Sequence, residues 1–407
     1  MEKVYQLFKG DKIVWILYAV LCIISLIEVY SASSTLTYRS HNTTGPILRH
    51  AMFLLLGTVV VIVIHNFHYR HASVLGFLTL FVAVILLILT PIIGVRVNDA
   101  SRWIEFFGIQ FQPSEFAKLS MIILTAFILS KSQRSQEQLK ISFWIILVLT
   151  GGFAVLIIGE NLSTALLLCI VVYVLMIFGR VPWKQMGRLL LVVAVTGGLF
   201  FFLLYMIPKI DKVPRWETWH NRVFLHEPGV MEAGFEITKS NYQPAHAKMA
   251  IANGSVTGVF PGNSTQRDYL PQAYSDFIYA IIIEEMGWFG ALLIPFLYLV
   301  LMYRGLRIAK KCTKIFPMLL VMGSAMMIGL QAFVNMLVAV GAGPVTGQPM
   351  PLISRGGTST IITCIYFGII LSVSRFAVSD ENNSNEVTPE EEALQAEEHD
   401  VSKEYGV

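Results

Sequence analysis

Charged residues are scarce in this sequence of 407 residues, of which 14% are Asp, Glu, Lys or Arg and 55% are hydrophobic. Soluble globular domains carry about 25% charged residues. The scarcity excludes a soluble fold and predicts an all-α polytopic membrane protein. The formal net charge of +3 mainly reflects basic loops on one side of the membrane, so we expect no nucleic-acid partner.

Cysteine is also scarce, with four residues in the whole chain. Each of them falls in a predicted helix or in a loop predicted to be cytoplasmic, and none falls in an exported loop. The absence of exported cysteines excludes a disulfide framework.

Acidic residues are unevenly spread, because ten of the 27 lie in the last 28 residues, 380–407. This tail has too few apolar residues to form a core, and it is predicted to be a disordered cytoplasmic segment. Carboxylates inside the remaining apolar chain are therefore rare. Those at Glu115, Asp276, Glu284 and Glu285 are candidates for function, since an ionisable group within a membrane is costly.

Ten apolar runs are close to the ~20 residues that span a bilayer. They cover 13–33, 47–66, 72–94, 114–130, 142–159, 162–179, 186–208, 276–303, 317–341 and 359–378. Lys and Arg concentrate in alternate connections, which places both termini in the cytoplasm. The sequence thus predicts a ten-helix domain over 1–379.

The outer connections are the long ones, and the functional site is expected there. The largest, about 209–275, joins the seventh and eighth predicted helices, and 95–113 and 342–358 are shorter. Connections of this length are usually functional or disordered. The largest contains several aromatic residues as well as Gly and Pro turns, so we predict that it folds against the membrane surface.

The stretch "QPSEFAKLS" opens the fourth predicted helix with Pro113 as a start signal. It sets Glu115 and Lys118 three residues apart, on one helix face. Two interpretations stay open. The pair neutralises itself at a helix end, or Lys118 offers positive charge to an anionic ligand while Glu115 orients it.

Asp276 is predicted at the outer mouth of the eighth helix, where an acidic residue also interacts favourably with the helix dipole. Glu284 and Glu285 follow within the same apolar run. Successive helical residues point in different directions. We therefore expect one of them, Glu284, to face the site, and Glu285 to pair with Arg or Lys of a neighbouring helix.

Cations are present in three outer connections. Arg102 lies beside Trp103 in the first, Arg222 lies in the largest, and Ser354 and Arg355 precede two glycines in the last. An interfacial Arg is ordinarily a snorkelling anchor. If these residues converge, they form a site for a diphosphate that bears a lipid tail.

Four segments together resemble the SEDS family (shape, elongation, division and sporulation), in that family's order and spacing. They are "SRWIEFFGIQFQPSEFAKLS", "NRVFLHEP", "GVFPGNSTQRDYLPQAYSDFIYAIIIEEMGWFG" and "GPVTGQPMPLISRGGTS". The resemblance covers residues 12 to about 378. "GNSTQRDYLPQAYSDFIY" is closer to the FtsW branch and "PVTGQPMPLIS" to the RodA branch, and we favour FtsW.

The resemblance implies a glycosyltransferase that polymerises lipid II into peptidoglycan strands beside a class B penicillin-binding protein, with other division or elongation membrane proteins as further partners. It assigns the catalytic role to Asp276, and it maps the family's helix-four Glu and Lys to Glu115 and Lys118. Its Arg-Trp maps to Arg102 and Trp103. Septal synthesis is the function expected of an FtsW-like member, and elongation that of a RodA-like one.

Two positions depart from the family pattern. In "ENLSTA", Asn161 stands where the family commonly has an aspartate, and Arg355 stands where it commonly has a tyrosine. The first departure argues against catalysis at position 161, and the second adds a cation near the proposed site.

The chemistry needs one base and a cationic cluster, since a diphosphate leaves as a stable anion. No acidic cluster with metal-ligand spacing is visible, so no cofactor is required, although Mg²⁺ or Mn²⁺ would supplement the cations. The rival interpretation is a flippase for the lipid precursor. A flippase needs a polar path and often shows inverted repeats, whereas the polar residues here concentrate at the outer face.

Overall fold

A computed structural model describes residues 9–32, 45–97, 100–106, 109–159, 161–207, 241–270 and 273–385, with the single residues Trp216, His220 and Ile237. Within this part the helices are α1 (Lys12–Ala32), α2 (Gly45–Asn66), α3 (Ala72–Ile93), α4 (Pro113–Lys131), α5 (Gln136–Ile158), α6 (Leu162–Phe178), α7 (Trp183–Met206), α8 (Tyr242–Gly254), α9 (Ile278–Lys310), α10 (Ile315–Ala339) and α11 (Thr358–Asn385).

Nine of the described helices are long and apolar enough to cross a membrane, and α6 is a shorter apolar helix. These ten coincide with the ten predicted spans, so the predicted polytopic all-α fold is confirmed. Several boundaries differ from the predicted ones, by up to seven residues at the ends of α9 and α11. Helix α11 continues to Asn385, beyond the predicted start of the tail at 380, and residues 386–407 lie outside the described part.

The core of the bundle is built from α4, α10 and α11, whose apolar windows are mostly buried, whereas α7 is almost wholly exposed. Helix α4 packs against α3, α10 and α6, and α11 packs against α2 and α10. Pro113 at the first position of α4 has a fixed φ that suits a helix start. The polar outer end of α4 is therefore surrounded by other helices of the bundle and does not face lipid.

The connection 95–113 forms a small antiparallel sheet that the sequence analysis did not predict. Strands β1 (Val95–Val97), β2 (Ala100–Phe106) and β3 (Ile109–Phe111) pair in the order β1-β2-β3. Gln112 N–H donates to Thr358 Oγ1 over 3.4 Å, and Thr358 Oγ1 donates to Gln110 O over 3.1 Å. The sheet is thereby attached to the start of α11.

Helix α9 reverses direction at Gly287, which has φ 58° and ψ −142°. Tyr279 Oη donates to Ala291 O over 2.7 Å, although twelve residues of straight helix would separate these positions by about 18 Å. Gly290 also lies against Ile282, since a Cβ at Gly290 would be 2.9 Å from Ile282 Cγ2. The predicted single span is thus a buried arm, 278–286, folded against a second arm, 288–310.

The described part of the largest outer connection packs on this reversal. Helix α8 contacts α9, and the chain after it pairs with the bend: Val259 N–H donates to Glu284 O over 3.0 Å, Phe260 N–H to Glu285 O over 2.8 Å, and Trp288 N–H to Val256 O over 3.1 Å. Two helix carbonyls and one amide N–H at the bend are therefore satisfied by another segment, as a membrane-embedded backbone requires.

Gly258 makes this pairing possible, and Gly258→Ala is expected to destabilise the protein. Its φ is +74°, and an added Cβ would lie 2.2 Å from Glu285 O. The left-handed backbone alone costs about 1–3 kcal/mol for a non-glycine residue, and the collision adds to it. Gly262→Ala is the matched control, because Gly262 has φ +91° with nothing within 4 Å of its Cβ position. Thermal unfolding in detergent should show the larger loss for Gly258→Ala, and equal losses would contradict the assigned contact.

Candidate active site

The segment that carries Asp276 is fixed by three donors on three successive carbonyls. Arg355 N–H donates to Tyr274 O over 2.9 Å. Ser354 Oγ donates to Ser275 O over 2.6 Å, and Asn335 Nδ2 donates to Asp276 O over 2.9 Å. The structure therefore brings together Asp276 and the Ser-Arg pair that the sequence predicted for the same site.

Asp276 itself is partly buried and precedes α9 instead of beginning it. The helix starts at Ile278 with Phe277 as its cap, and its first turn holds no acidic residue. The predicted position in the first turn is therefore wrong, because the helix begins two residues later. Ser275 Oγ donates to Asp276 Oδ1 over 3.0 Å, which orients the carboxylate at the foot of the buried arm.

Arg355 supplies positive charge beside this segment. Its guanidinium carbon lies 5.5 Å from the centre of the Tyr274 ring. Burial and the nearby charge of Arg49 lower the pKa of Arg355 from its ordinary value. None of the ion pairs within the described chain includes Arg49 or Arg355. Two cations without a carboxylate partner are suited to an anionic ligand. Arg49 is not among the site residues predicted from the sequence.

Glu115 and Lys118 form the predicted pair, with Lys118 Nζ 2.7 Å from Glu115 Oε1, but they lie deeper than expected. Lys118 is 0% exposed and also donates to Gln331 Oε1 over 2.7 Å. Helix α10 thereby adds a third group to the predicted pair. The ammonium is enclosed by Glu115 and Gln331, and its predicted role toward an anionic ligand stays a prediction.

Helix α10 connects the buried pair to the Asp276 segment. Gln331 Nε2 donates to Pro349 O over 3.0 Å, and Asn335 Nδ2, one turn further along, donates to Gln348 O over 2.7 Å as well as to Asp276 O. Residues four apart lie on one helix face. This face therefore holds the loop 341–357 and the Asp276 segment in one arrangement.

Asn161 has a structural role that suits its departure from the family pattern. It caps α6 by accepting from Thr164 N–H over 3.2 Å, a common task of Asn at a helix start. The hydroxyl of Thr164 is hydrogen-bonded to the Gln348 side-chain amide. The start of α6 thereby supports the loop 341–357.

The paired glutamates are surrounded by donors from the outer segment. Glu284 is 0% exposed. It accepts from the Asn253 side chain over 3.2 Å and from Thr265 Oγ1 over 3.0 Å, and it also accepts from the Ser264 hydroxyl and from Gln266 N–H. Both oxygens are thus engaged in anchoring the outer segment, and the predicted contact of Glu284 with substrate stays a prediction.

Glu285 accepts from the Ser31 hydroxyl and, over 3.1 Å, from Gly262 N–H. Glu285 was predicted to pair with Arg or Lys of a neighbouring helix. This prediction is wrong for the described part of the chain, where no ion pair includes either glutamate. Glu28 of α1 is also buried and is not among the residues predicted from the sequence. The two carboxylates can be buried in the bundle because polar groups of the outer segment replace the water that would otherwise solvate them.

The remaining predicted residues lie apart from these contacts. Trp103 is half-buried on β2, paired with Val95 of β1. Arg102 is on the same strand, its side chain outside the described part, and Arg222 lies wholly outside it. Their predicted convergence on the diphosphate stays a prediction. Nowhere in the described chain do three or more His, Cys, Asp or Glu residues group as a metal site would require.

A family model described as a cell cycle protein of the FtsW, RodA and SpoVE type matches residues 11–379. The chain belongs to this FtsW/RodA/SpoVE family. The resemblance to the SEDS proteins, inferred from four motifs, is thereby confirmed, and the matched range includes each site segment described above.

Several relatives carry the name probable peptidoglycan glycosyltransferase FtsW. The chain is similar to the one from Geobacter sp. (strain M18), with 31% identity over 89% of this chain and 96% of the relative. It is also similar to that of Enterococcus hirae, with 30% identity over 93% and 96%, and to that of Haemophilus influenzae, with 32% identity over 89% and 90%.

Solved structures share the fold. A chain of a peptidoglycan synthase complex, described for its coordination of polymerization and crosslinking, matches with a TM-score of 0.69 and 22% identity over 90% of this chain and 98% of that one. The rod shape determining protein RodA of Thermus thermophilus matches with a TM-score of 0.63 and 22% identity over 91% and 98%. At this identity the likeness supports the architecture alone.

Proposed function

We propose that this family member is a peptidoglycan glycosyltransferase that polymerises lipid II for septal wall synthesis, with Asp276 as general base. The observation that carries the proposal is the fixation of the Asp276 segment by Asn335, Ser354 and Arg355, described above. It supports a site in which the partly buried Asp276 follows Tyr274, whose ring packs against the Arg355 guanidinium, and none of the ion pairs within the described residues includes Arg355. The FtsW names of the relatives favour septal synthesis over elongation.

The proposed mechanism divides the work between the carboxylate and the cations. Asp276 accepts the proton of the acceptor sugar hydroxyl while that oxygen attacks the anomeric carbon of the donor. The bond to the lipid diphosphate breaks, and Arg355 and Arg49 stabilise the charge of the departing diphosphate. A second carboxyl group is unnecessary, since the leaving group is already a stable anion, whereas glycosidases need an acid to protonate theirs.

The partner in this proposal is a class B penicillin-binding protein, which crosslinks the strands that the glycosyltransferase makes. Similarity to a chain of a peptidoglycan synthase complex supports it. Mg²⁺ or Mn²⁺ is proposed only as a supplement to the cations. The direct test combines the purified protein, this partner and labelled lipid II, with gel separation of glycan strands with and without a chelator.

The proposed orientation in a bacterial inner membrane, with both termini cytoplasmic, predicts the outcome of reporter fusions. A reporter inserted after Arg134, between α4 and α5, should report the cytoplasm, and one after Asn263 should report the exterior. The reason is the concentration of Lys and Arg at one end of the bundle. Alkaline phosphatase and fluorescent-protein fusions measure this, and an exterior signal after Arg134 would invert the arrangement.

A further inference from the structure

A cavity lies at the basic end of the bundle, far from the Asp276 segment along the helices. It is open to the surface and has a volume of about 570 Å³ between the 3₁₀ turn Tyr69–His71 that precedes α3, the end of α4 and the start of α10. Arg70, Lys131 and Lys314 line it, and no lining residue is acidic. The volume is within the ~300–1,000 Å³ of typical ligand sites.

One wall of the cavity is a row of aromatic rings that leads to the lipid-facing surface. Ring centroids are 6.5 Å apart from Tyr69 to Phe316, 6.2 Å from Phe316 to Phe127 and 5.7 Å from Phe127 to Phe77. Phe77 is 51% exposed on α3, next to Leu78, which is 62% exposed. The row therefore joins the cationic cavity to the apolar surface that acyl chains cover.

This lining combines two kinds of recognition in one continuous site. Three cations suit a phosphate group, and basic cavities between membrane helices bind anionic lipid head groups. The aromatic row suits a hydrocarbon chain. The acidic segment 386–407 complements the charge of the cavity, but it offers little apolar surface for the row. The lining thus favours a lipid over a peptide.

We propose that this cavity binds an anionic phospholipid, with the phosphate held by Arg70, Lys131 and Lys314 and an acyl chain along Phe316, Phe127 and Phe77. The site is separate from the proposed glycosyltransferase site. It is tested by lipid retention, so the failure of one proposal leaves the other intact.

The test is native mass spectrometry of the full-length protein in mild detergent, titrated with phosphatidylglycerol or phosphatidylcholine. The variant Arg70→Gln/Lys131→Gln/Lys314→Gln removes the three cations. Each cation near a membrane surface contributes about 1 kcal/mol, so phosphatidylglycerol retention should weaken on the order of 100-fold. The matched control, Arg134→Gln/Lys140→Gln/Lys184→Gln, removes three exposed cations outside the lining and should retain the lipid normally.

A second variant tests the aromatic row without touching the cations. Because Phe77 is half-exposed, Phe77→Ser should fold, and it should retain phosphatidylglycerol several-fold less well. Size-exclusion profiles establish folding of each variant, and the Phe77 result stands alone if the triple variant fails to fold.

Four results would overturn the proposal. They are unchanged retention in the lining variant, equal loss in the control variant, displacement of the lipid by equimolar glycerol phosphate, and displacement by a peptide of residues 386–407. The third would indicate a site for small anions, and the fourth a site for the acidic tail. Selective retention of phosphatidylglycerol that depends on both the cations and Phe77 supports it.

Discussion

Asp276→Asn is expected to lower the rate of glycan polymerisation by about 10²–10⁴, the usual cost of losing general-base catalysis. The amide keeps the size and shape of the carboxylate but does not accept a proton. Folding should be unaffected, because Ser275 Oγ donates equally well to an amide oxygen and the contacts of Asn335, Ser354 and Arg355 are with backbone groups of 274–276. Strand formation from labelled lipid II measures the effect.

The matched control for this variant is Asp268→Asn, in the 3₁₀ turn Gln266–Asp268 of the same outer segment. Its side chain is 58% exposed and 4.0 Å from Arg267, a surface ion pair of small energy, so we expect a normal rate. Polymer from Asp276→Asn at the wild-type rate would remove the catalytic assignment. Absence of polymer from the wild-type protein with every partner and cation would favour the flippase instead.

The sequence allowed prediction of those site residues that are unusual for an apolar chain and lie in long outer connections. Asp276 and Arg355 stand out because charge is rare in the chain, and the Lys and Arg pattern places their connections on one side of the membrane. The structure brings these two residues together. Arg49 carries no comparable local signal, since an Arg at a helix end is ordinarily an anchor.

The reversal of α9 could not be predicted, because the apolar composition is continuous across Gly287. Hydrophobic periodicity indicates a helix, but it does not show where the chain turns back. The available signal was the pair of carboxylates before that glycine. Two successive glutamates in an apolar run need polar surroundings on more than one side, and a straight lipid-facing helix does not provide them. The segment 253–266 provides these polar surroundings by folding onto the bend. This contact joins residues that are distant in the chain, and a single sequence carries no pattern that predicts it.

Lys118→Met is expected to reduce both stability and polymerisation. Removing one partner of a buried ion pair typically costs about 3–5 kcal/mol, because the other charge is left unpaired. Here Glu115 and Gln331 Oε1 both lose their donor. Gln331 in turn holds Pro349 O, so a shift of the loop 341–357 should follow. Misplacement of about 1 Å at a distance from the chemistry can cost about 10²-fold in rate. Thermal unfolding and the lipid II assay measure the two effects, and unchanged polymerisation would assign Lys118 to a purely structural pair.

The double variant Glu115→Met/Lys118→Met separates stability from positioning. Replacing both members of a buried pair by apolar groups of similar volume is often nearly neutral for stability, so the double variant should unfold closer to the wild-type temperature than Lys118→Met does. Its polymerisation should nevertheless stay low, with a reduced kcat at saturating lipid II, because no ammonium group remains to hold Gln331. If the double variant regains both stability and rate, then the pair serves only to neutralise itself inside the bundle. If it regains stability alone, Lys118 is a positioning residue that acts through Gln331 on the loop beside Asp276.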